Sequence, residues 1–340
     1  MTTAVVRALG ALAHRAAHGR PEHPCDCPPP VVLADRADGT VVRSGAVVAK
    51  AHAPDADADS ADLPARLALA NDPLLAGILL APLPSSTPPA GPVGPSTAPA
   101  GPPARSTTLH DRAVTLWPHG EPVDPGDPDA APWQEAAVLL AGLHRTPPPP
   151  SLALPPMRGP VKAALAVARM CAARPGDPAT APVLEAWHRL PPWARGEADT
   201  PPHRSRFLCH GDFHLGQLVR HPAPRGPWLL IDVDDAGLGD PAWDLARPAA
   251  WYAAGLLPPD VWLRFLDSYR AAGGPAVRAD GDVWPELDAP ARTLTIQTAA
   301  LAFAKSAAEG RAPDEVERTM IDACARIAAL PAELAAEHSS

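Results

Sequence analysis

Lysine is nearly absent from this chain: of 29 basic residues only Lys50, Lys162 and Lys305 are lysine, and the rest are arginine. A lysine at a patterned position is therefore informative. Long apolar runs are missing too. No stretch approaches the roughly 20 residues that cross a bilayer, so no membrane span is expected. Residues 3–18 are apolar at helical spacing, but Arg7, His14 and Arg15 interrupt them, and they do not read as a secretory leader. The five cysteines (Cys25, Cys27, Cys171, Cys209 and Cys324) are odd in number and scattered, and do not read as a disulfide framework. Cys25 and Cys27, beside His23, lack a second ligand pair, so they read as thiols in a Pro-rich loop rather than a metal site. A cytoplasmic location is expected. Positive charge is also in deficit, 29 basic against 38 acidic residues for a net −9. That argues against a nucleic-acid binder, which needs clustered Lys and Arg against phosphates. No internal repeat is present.

What is there suits a globular protein. The 340 residues, 46% of them hydrophobic, are enough for about two domains of roughly 150 residues each. The 48 prolines cut the chain into short elements and stiff connections. After a Pro-rich connector at 20–30, β-branched runs near 31–34, 40–43 and 46–51 are separated by Asp38-Gly39 and Ser44-Gly45. They predict a small antiparallel sheet with Lys50 on its third strand. Asp55, Asp57, Asp59 and Asp62 form an acidic loop. Residues 63–71 predict a short helix opening near Pro64, 76–83 a strand, and 112–117 a further strand. Residues 84–105 are low-complexity and read as an insertion, and 118–128 are too rich in Pro and Gly for regular structure. Helical periodicity follows at 133–144, 160–174, 182–190, 259–272, 287–308 and 313–329. The domain plan is an N-terminal helix and connector (1–30), a β-rich lobe (31–118) and a helical lobe (119–340). The class is α+β.

One β-rich island, 207–234, interrupts the helical half. It reads FLCHGDFHLGQLV, then a turn, then WLLIDVDDAGLGDPAWDLA from Trp228 onward. Leu218–Arg220 and Trp228–Ile231 are expected to pair as a hairpin. Gln217 lies just before the first of these strands and Asp232 just after the second, so an antiparallel pairing makes the two neighbours, within reach of Asp212. An amide oxygen and a carboxylate are ligands that suit Mg²⁺.

His210-Gly211-Asp212, then Gln217, then Ile231-Asp232, Gly239-Asp240-Pro241 and Asp244-Leu245 closely resemble the aminoglycoside phosphotransferase and choline kinase-like family of small-molecule kinases. The resemblance extends to Lys50, to the connector at 115–121 and to the Leu143-His144 helix end, and so covers most of residues 31–330. It implies a bilobal protein-kinase-like fold, with a small antiparallel β-sheet N-lobe and a mostly helical C-lobe. It implies an ATP- or GTP-dependent O-phosphotransferase with Mg²⁺, acting on a small-molecule hydroxyl acceptor: an aminoglycoside-like antibiotic, a sugar or an amino alcohol. By resemblance, Asp212 orients the acceptor hydroxyl and takes its proton. Gln217 and Asp232 hold Mg²⁺, Lys50 holds the α- and β-phosphates, and the backbone around Thr115 and Trp117 faces the purine. His210, Asp240 and Asp244 are structural supports.

Three features depart from the family pattern. Gln217 stands where Asn is usual, although the string HGDFHLGQ also resembles maltose kinases. Residues 51–80 contain no Glu to pair with Lys50, which leaves Asp62 or Asp72 as substitutes or the pair absent. No Gly-x-Gly-x-x-Gly loop is present, only Ala37-Asp38-Gly39. The last two motivate a second reading, a catalytically weak or inactive nucleotide-binding protein. A related enzymatic variant would phosphorylate a peptide hydroxyl. A third reading, a metal-dependent hydrolase, takes His210, Asp212, His214 and Asp232 as ligands. Asp234 and Asp235 are expected to be solvated acids, and His214 a structural loop residue.

Overall fold

The structure is a computed structural model that describes residues 2–18, 28–36, 39–54, 62–84, 107–109, 111–201 and 204–330. His23, Cys25, Cys27, Asp38, Asp55, Asp57, Asp59 and nearly all of the 84–105 insertion lie outside the described residues. Helix α1 (Thr2–His18) precedes strands β1 (Val31–Arg36), β2 (Gly39–Ser44) and β3 (Val47–Pro54), then helix α2 (Leu63–Ala70). Strands β4 (Thr107–Leu109), β5 (Arg112–Pro118) and the two-residue β6 (Glu121–Pro122) follow. Next come α3 (Trp133–Arg145), α4 (Gly159–Ala173), α5 (Ala181–His188), β7 (Phe207–Cys209), β8 (Leu218–Arg220), β9 (Trp228–Leu230) and β10 (Gly237–Gly239). The chain closes with α6 (Ala242–Ala254), α7 (Pro259–Ala271), α8 (Trp284–Glu309) and α9 (Glu315–Ala328).

The chain divides into two compact units. The first holds residues 1–123, 149–154 and 218–234. Its main sheet runs β1-β2-β3-β5-β4, antiparallel throughout. The pleat sends alternate residues to opposite faces. On β3 one face therefore carries Val47, Ala49 and Ala51, and the other carries Lys50 and His52. The register pairs Lys50 with Thr115 and Val48 with Trp117, so Lys50, His52, Thr115 and Trp117 share a face. The opposite face is closed by α1, whose Val5, Leu9 and Ala13 pack on Val42, Val47, Ala49, Ala51, Val114 and Leu116. At about 1.5–3 kcal/mol for each fully buried aliphatic side chain, this seam is a main source of the unit's stability.

The expected hairpin is present: β8 pairs antiparallel with β9, Leu218 opposite Leu230, and β6 pairs with β8 on the other side. The strand expected at 76–83 is not. Leu79 makes an isolated bridge to Leu230, and Leu80 donates its N–H to the Leu230 carbonyl at 2.9 Å. Gly77, at φ +88°, turns the chain there, and Pro82 has no N–H to continue a ladder.

The second unit holds residues 124–148, 155–217 and 235–340. Its long helix α8 packs against α4, α6 and α9, and α3 packs against α7. The short antiparallel pair β7–β10 sets Cys209 opposite Gly237, and the loop after β7 begins at His210. No helix among the described residues is long and apolar enough to cross a membrane.

Candidate active site

In the first unit, Lys50 lies between two carboxylates. Its ammonium donates to Asp232 Oδ1 at 2.6 Å and to Asp234 Oδ2 at 2.9 Å. Burial alone would lower the affinity of this lysine for its proton, but Asp232 and Asp234 outweigh it and hold the pKa above the ordinary value. Asp234 is shifted the other way: burial would raise its pKa, and the nearby Lys50 and His52 more than offset that. The acidic partners of Lys50 are thus two aspartates from far along the chain. Asp62 lies instead beside Arg66 (3.7 Å), and Asp72 accepts from the Leu74 N–H, so neither is the partner of Lys50. The expectation that Asp234 is a solvated acid is corrected as well.

A directed chain of hydrogen bonds continues behind Asp234. His52 Nδ1 lies 2.9 Å from Asp234 Oδ2, and its Nε2 lies 2.8 Å from Thr115 Oγ1. The Trp117 indole N–H donates to that same hydroxyl at 2.8 Å. A carboxylate only accepts and an indole only donates. Trp117 therefore donates to Thr115 and His52 Nδ1 donates to Asp234; a neutral His52 then accepts from the Thr115 hydroxyl at Nε2. The Thr115 and Trp117 side chains are committed to this chain, which leaves backbone groups as what this stretch of β5 offers a ligand.

Asp232 has φ +65°, in the left-handed region that non-glycine residues rarely enter. Such a conformation costs about 1–3 kcal/mol and persists where the surroundings impose it. It lies two residues beyond β9 and presents its carboxylate to Lys50. One ammonium against two carboxylates leaves this cluster with an excess of negative charge, and its donors are oxygens. Both properties suit a hard divalent cation. The other candidate ligand, Gln217, is buried at the end of a one-turn helix, Leu215–Gln217, in the second unit.

In the second unit the centre is Asp212. Its Oδ2 accepts from Lys162 at 2.7 Å, and its Oδ1 accepts from Arg247 Nη2 at 2.8 Å. Burial would raise the pKa of this carboxyl, but Lys162 and Arg247 pull it down to about 2. Lys162 also donates to Asp235 Oδ2 at 2.7 Å, and Arg158 Nη1 lies 3.5 Å from Asp235 Oδ1. Asp235 is therefore an ion-paired, buried residue and not a solvated acid. Arg247 further donates to the Phe213 carbonyl at 3.1 Å, which ties the loop to α6.

The loop is held from below by Asp244, which is fully buried. Its carboxylate accepts from the backbone N–H groups of His210 (2.6 Å) and Gly211 (2.8 Å) and from His144 Nε2 at 2.9 Å. These bonds lower its pKa although burial opposes them. His144 Nδ1 is 2.7 Å from the Tyr269 hydroxyl, which accepts from the Ala276 N–H at 3.0 Å. Asp240 accepts from the Ala242 N–H at the start of α6 and pairs with Arg204 at 2.7 Å, and burial nonetheless raises its pKa. Gly211 has φ +83°, and a Cβ there would stand 2.2 Å from the Asp235 carbonyl oxygen, so only glycine fits.

The metal-ligand set of the hydrolase reading is not assembled. Both Asp212 oxygens bond to cations, and His214 Nδ1 accepts from the Gly216 N–H at 3.0 Å. Burial, then Arg247, push the His214 pKa down to about 4. Among the described residues, the group with metal-ligand spacing is His144, Cys209 and Asp244. There the hydrogen bonds already occupy His144 and Asp244, and burial raises the Cys209 thiol well above its usual value, away from the thiolate that binds metal.

Sequence reading singled out Asp212, Gln217, Asp232, Lys50, Thr115, Trp117, His210, Asp240 and Asp244. It missed Lys162, Arg247, Arg158, His52 and Tyr269. For Lys162 a signal existed in the scarcity of lysine.

A model of the phosphotransferase enzyme family (APH) matches residues 106–289, just over half of the chain. No curated protein matches the sequence. Among solved structures, a choline/ethanolamine kinase family protein from Mesorhizobium loti is similar, at TM-score 0.56 and 15% identity, covering 100% of both chains. A choline kinase from Cryptosporidium parvum gives 0.58 at 10% identity, covering 94% of each chain. An aminoglycoside phosphotransferase, APH(3'')-Id, from Streptomyces rimosus gives 0.54 at 19% identity, over 87% of this chain and 99% of that one. At these identities the likeness establishes a kinase-like fold.

Proposed function

Because this chain belongs to the phosphotransferase enzyme family and has a kinase-like fold, we propose that it moves the γ-phosphate of ATP to a hydroxyl of a small molecule. The observation that carries this reading is Asp212: a carboxylate held at both oxygens by Lys162 and Arg247, on a loop whose backbone is fastened to Asp244. Phosphoryl transfer asks a protein mainly to position groups and neutralise charge, and this carboxylate is both positioned and kept ionised. Asp212 orients the acceptor hydroxyl and takes its proton. Lys50 holds the nucleotide phosphates. Gln217 and Asp232 hold Mg²⁺, which neutralises phosphate charge when bound. The β5 backbone near Thr115 and Trp117 faces the base.

The acceptor class rests on resemblance. Solved structures with this fold include a spectinomycin phosphotransferase in complex with ADP and spectinomycin. An aminoglycoside-like antibiotic, a sugar or an amino alcohol is the proposed range, in a cytoplasmic setting, and GTP is the alternative donor. The inactive-protein reading loses one of its two motives, since Lys50 has its acidic partners. The test is ADP formation over a panel of hydroxylated acceptors with Mg²⁺ and ATP or GTP, in the wild type and in Asp212→Asn. ADP formation faster than the basal transfer to water, with both rates lost in the variant, is expected. Equal rates in both would reject the mechanism.

A further inference from the structure

Lys162 belongs to no motif that marks the site in sequence. It stands in the first turn of α4 and donates to two carboxylates at once, Asp212 Oδ2 and Asp235 Oδ2, each at 2.7 Å. The far carboxylate is itself fixed. The Asp235 carbonyl accepts from the Arg158 N–H at 3.2 Å. Its side chain lies against Arg158, and its backbone is packed so closely on Gly211 that no Cβ fits between. Lys162 therefore ties the Asp212 carboxylate to a point that cannot shift without moving both α4 and the loop. Arg247, on α6, takes the other Asp212 oxygen. Each carboxylate oxygen retains a second lone pair, so Asp212 can still accept from a hydroxyl.

We propose that Lys162 is the positioning residue of the transfer site, clamping the Asp212 carboxylate between α4 and α6 in the one orientation that receives the acceptor's proton. This rests on the assignment of Asp212 given above. In the step, the acceptor oxygen bonds to phosphorus while its O–H bond breaks, and the proton passes to Asp212. The bond from phosphorus to the bridging oxygen breaks, and ADP leaves with the electron pair. Lys162 neither gives nor takes a proton. Its work is geometric, and a misplacement of about 1 Å in such a group costs about 10²-fold in rate.

The clamp also sets the proton affinity of Asp212. The groups that face this carboxyl are Lys162 from α4, Arg247 from α6 and His214 from its own loop, and Lys162 is shared with Asp235. Removing the ammonium leaves one guanidinium, and the carboxyl must become easier to protonate.

The test uses the full chain with MgATP, water serving as the acceptor, together with a ¹³C NMR titration of the Asp212 carboxyl assigned through Asp212→Asn. Lys162→Met is expected to lower kcat by about 10²-fold with KM for MgATP unchanged. The Asp212 carboxyl should titrate toward the ordinary value of about 3.9 instead of remaining ionised down to about 2. Lys162→Arg, which keeps two donors, should recover most of the rate. Asp235→Asn, which loosens the far end, should lower kcat in the same way and serves if the Met variant does not fold. A Lys162→Met enzyme with wild-type kcat beside a dead Asp212→Asn would overturn the clamp alone, as would an unmoved Asp212 titration. An Asp212→Asn enzyme as active as the wild type would overturn the functional reading, and the clamp with it.

Discussion

Two of the three lysines lie between pairs of aspartates, one in each unit, and the two clusters are not alike. Lys50 extends from a strand and meets Asp232 and Asp234. Lys162 extends from a helix and meets Asp212 and Asp235. The first cluster sets one lysine against two carboxylates, backed by a hydrogen-bond chain that runs from Trp117 through Thr115 to His52. The second sets Lys162, Arg158 and Arg247 against two carboxylates. Formal charge is thus negative by one in the first and positive by one in the second. An excess of carboxylate suits a site that takes a cation along with phosphates. An excess of cation suits a site that must keep one carboxylate ionised beside incoming anionic groups. The same residue pair, lysine and aspartate, thus carries opposite net charge according to what surrounds it.

Substitutions that act on one cluster should therefore give separable defects. The largest effect is expected from Asp212→Asn, a loss of about 10²–10⁴-fold in turnover with nucleotide binding retained, measured by ADP release and calorimetry side by side. Asp234→Asn removes a charged partner of Lys50 and keeps the acceptor atom for His52. A hydrogen bond to a charged group is worth about 1.5–3 kcal/mol, so ATP affinity should fall roughly tenfold to hundredfold. Comparable affinity in that variant would mean that Asp232 alone positions Lys50. Tyr269→Phe removes the hydroxyl behind His144 and should cost about 0.5–1.5 kcal/mol of unfolding free energy in urea, with ATP affinity unchanged. A loss of ATP affinity there would break the separation between the clusters.

The sequence made the kinase-like fold legible because its marks are local. β-branched runs divided by Ser44-Gly45 mark the sheet, and the carboxylate motifs occupy short loops beside β7 and β9. The position of Lys50 on the third strand follows from the same pattern. What surrounds these residues was not legible. The acidic partners that the sequence offers nearby, Asp62 and Asp72, lie within one helix of Lys50. Asp232 and Asp234 instead reach it across 182 positions or more, where periodicity carries no information. Lys162 and Arg247 stand on helices whose patterns reveal burial but not what the polar face meets. Consecutive residues Asp234 and Asp235 look like one acidic run, yet each serves a different lysine. The 76–83 segment failed for a local reason: its apolar composition suits a strand, but Gly77 and Pro82 prevent a ladder.

In the proposed function the Asp232 cluster binds the nucleotide and the Asp212 cluster acts on the acceptor. The most direct measurement is calorimetric titration of ATP, with and without Mg²⁺, into the wild type, Asp232→Ala and Asp212→Asn. Mg²⁺-dependent binding that is lost in Asp232→Ala and kept in Asp212→Asn is expected. Wild-type binding in Asp232→Ala, or equal loss in both variants, would contradict it.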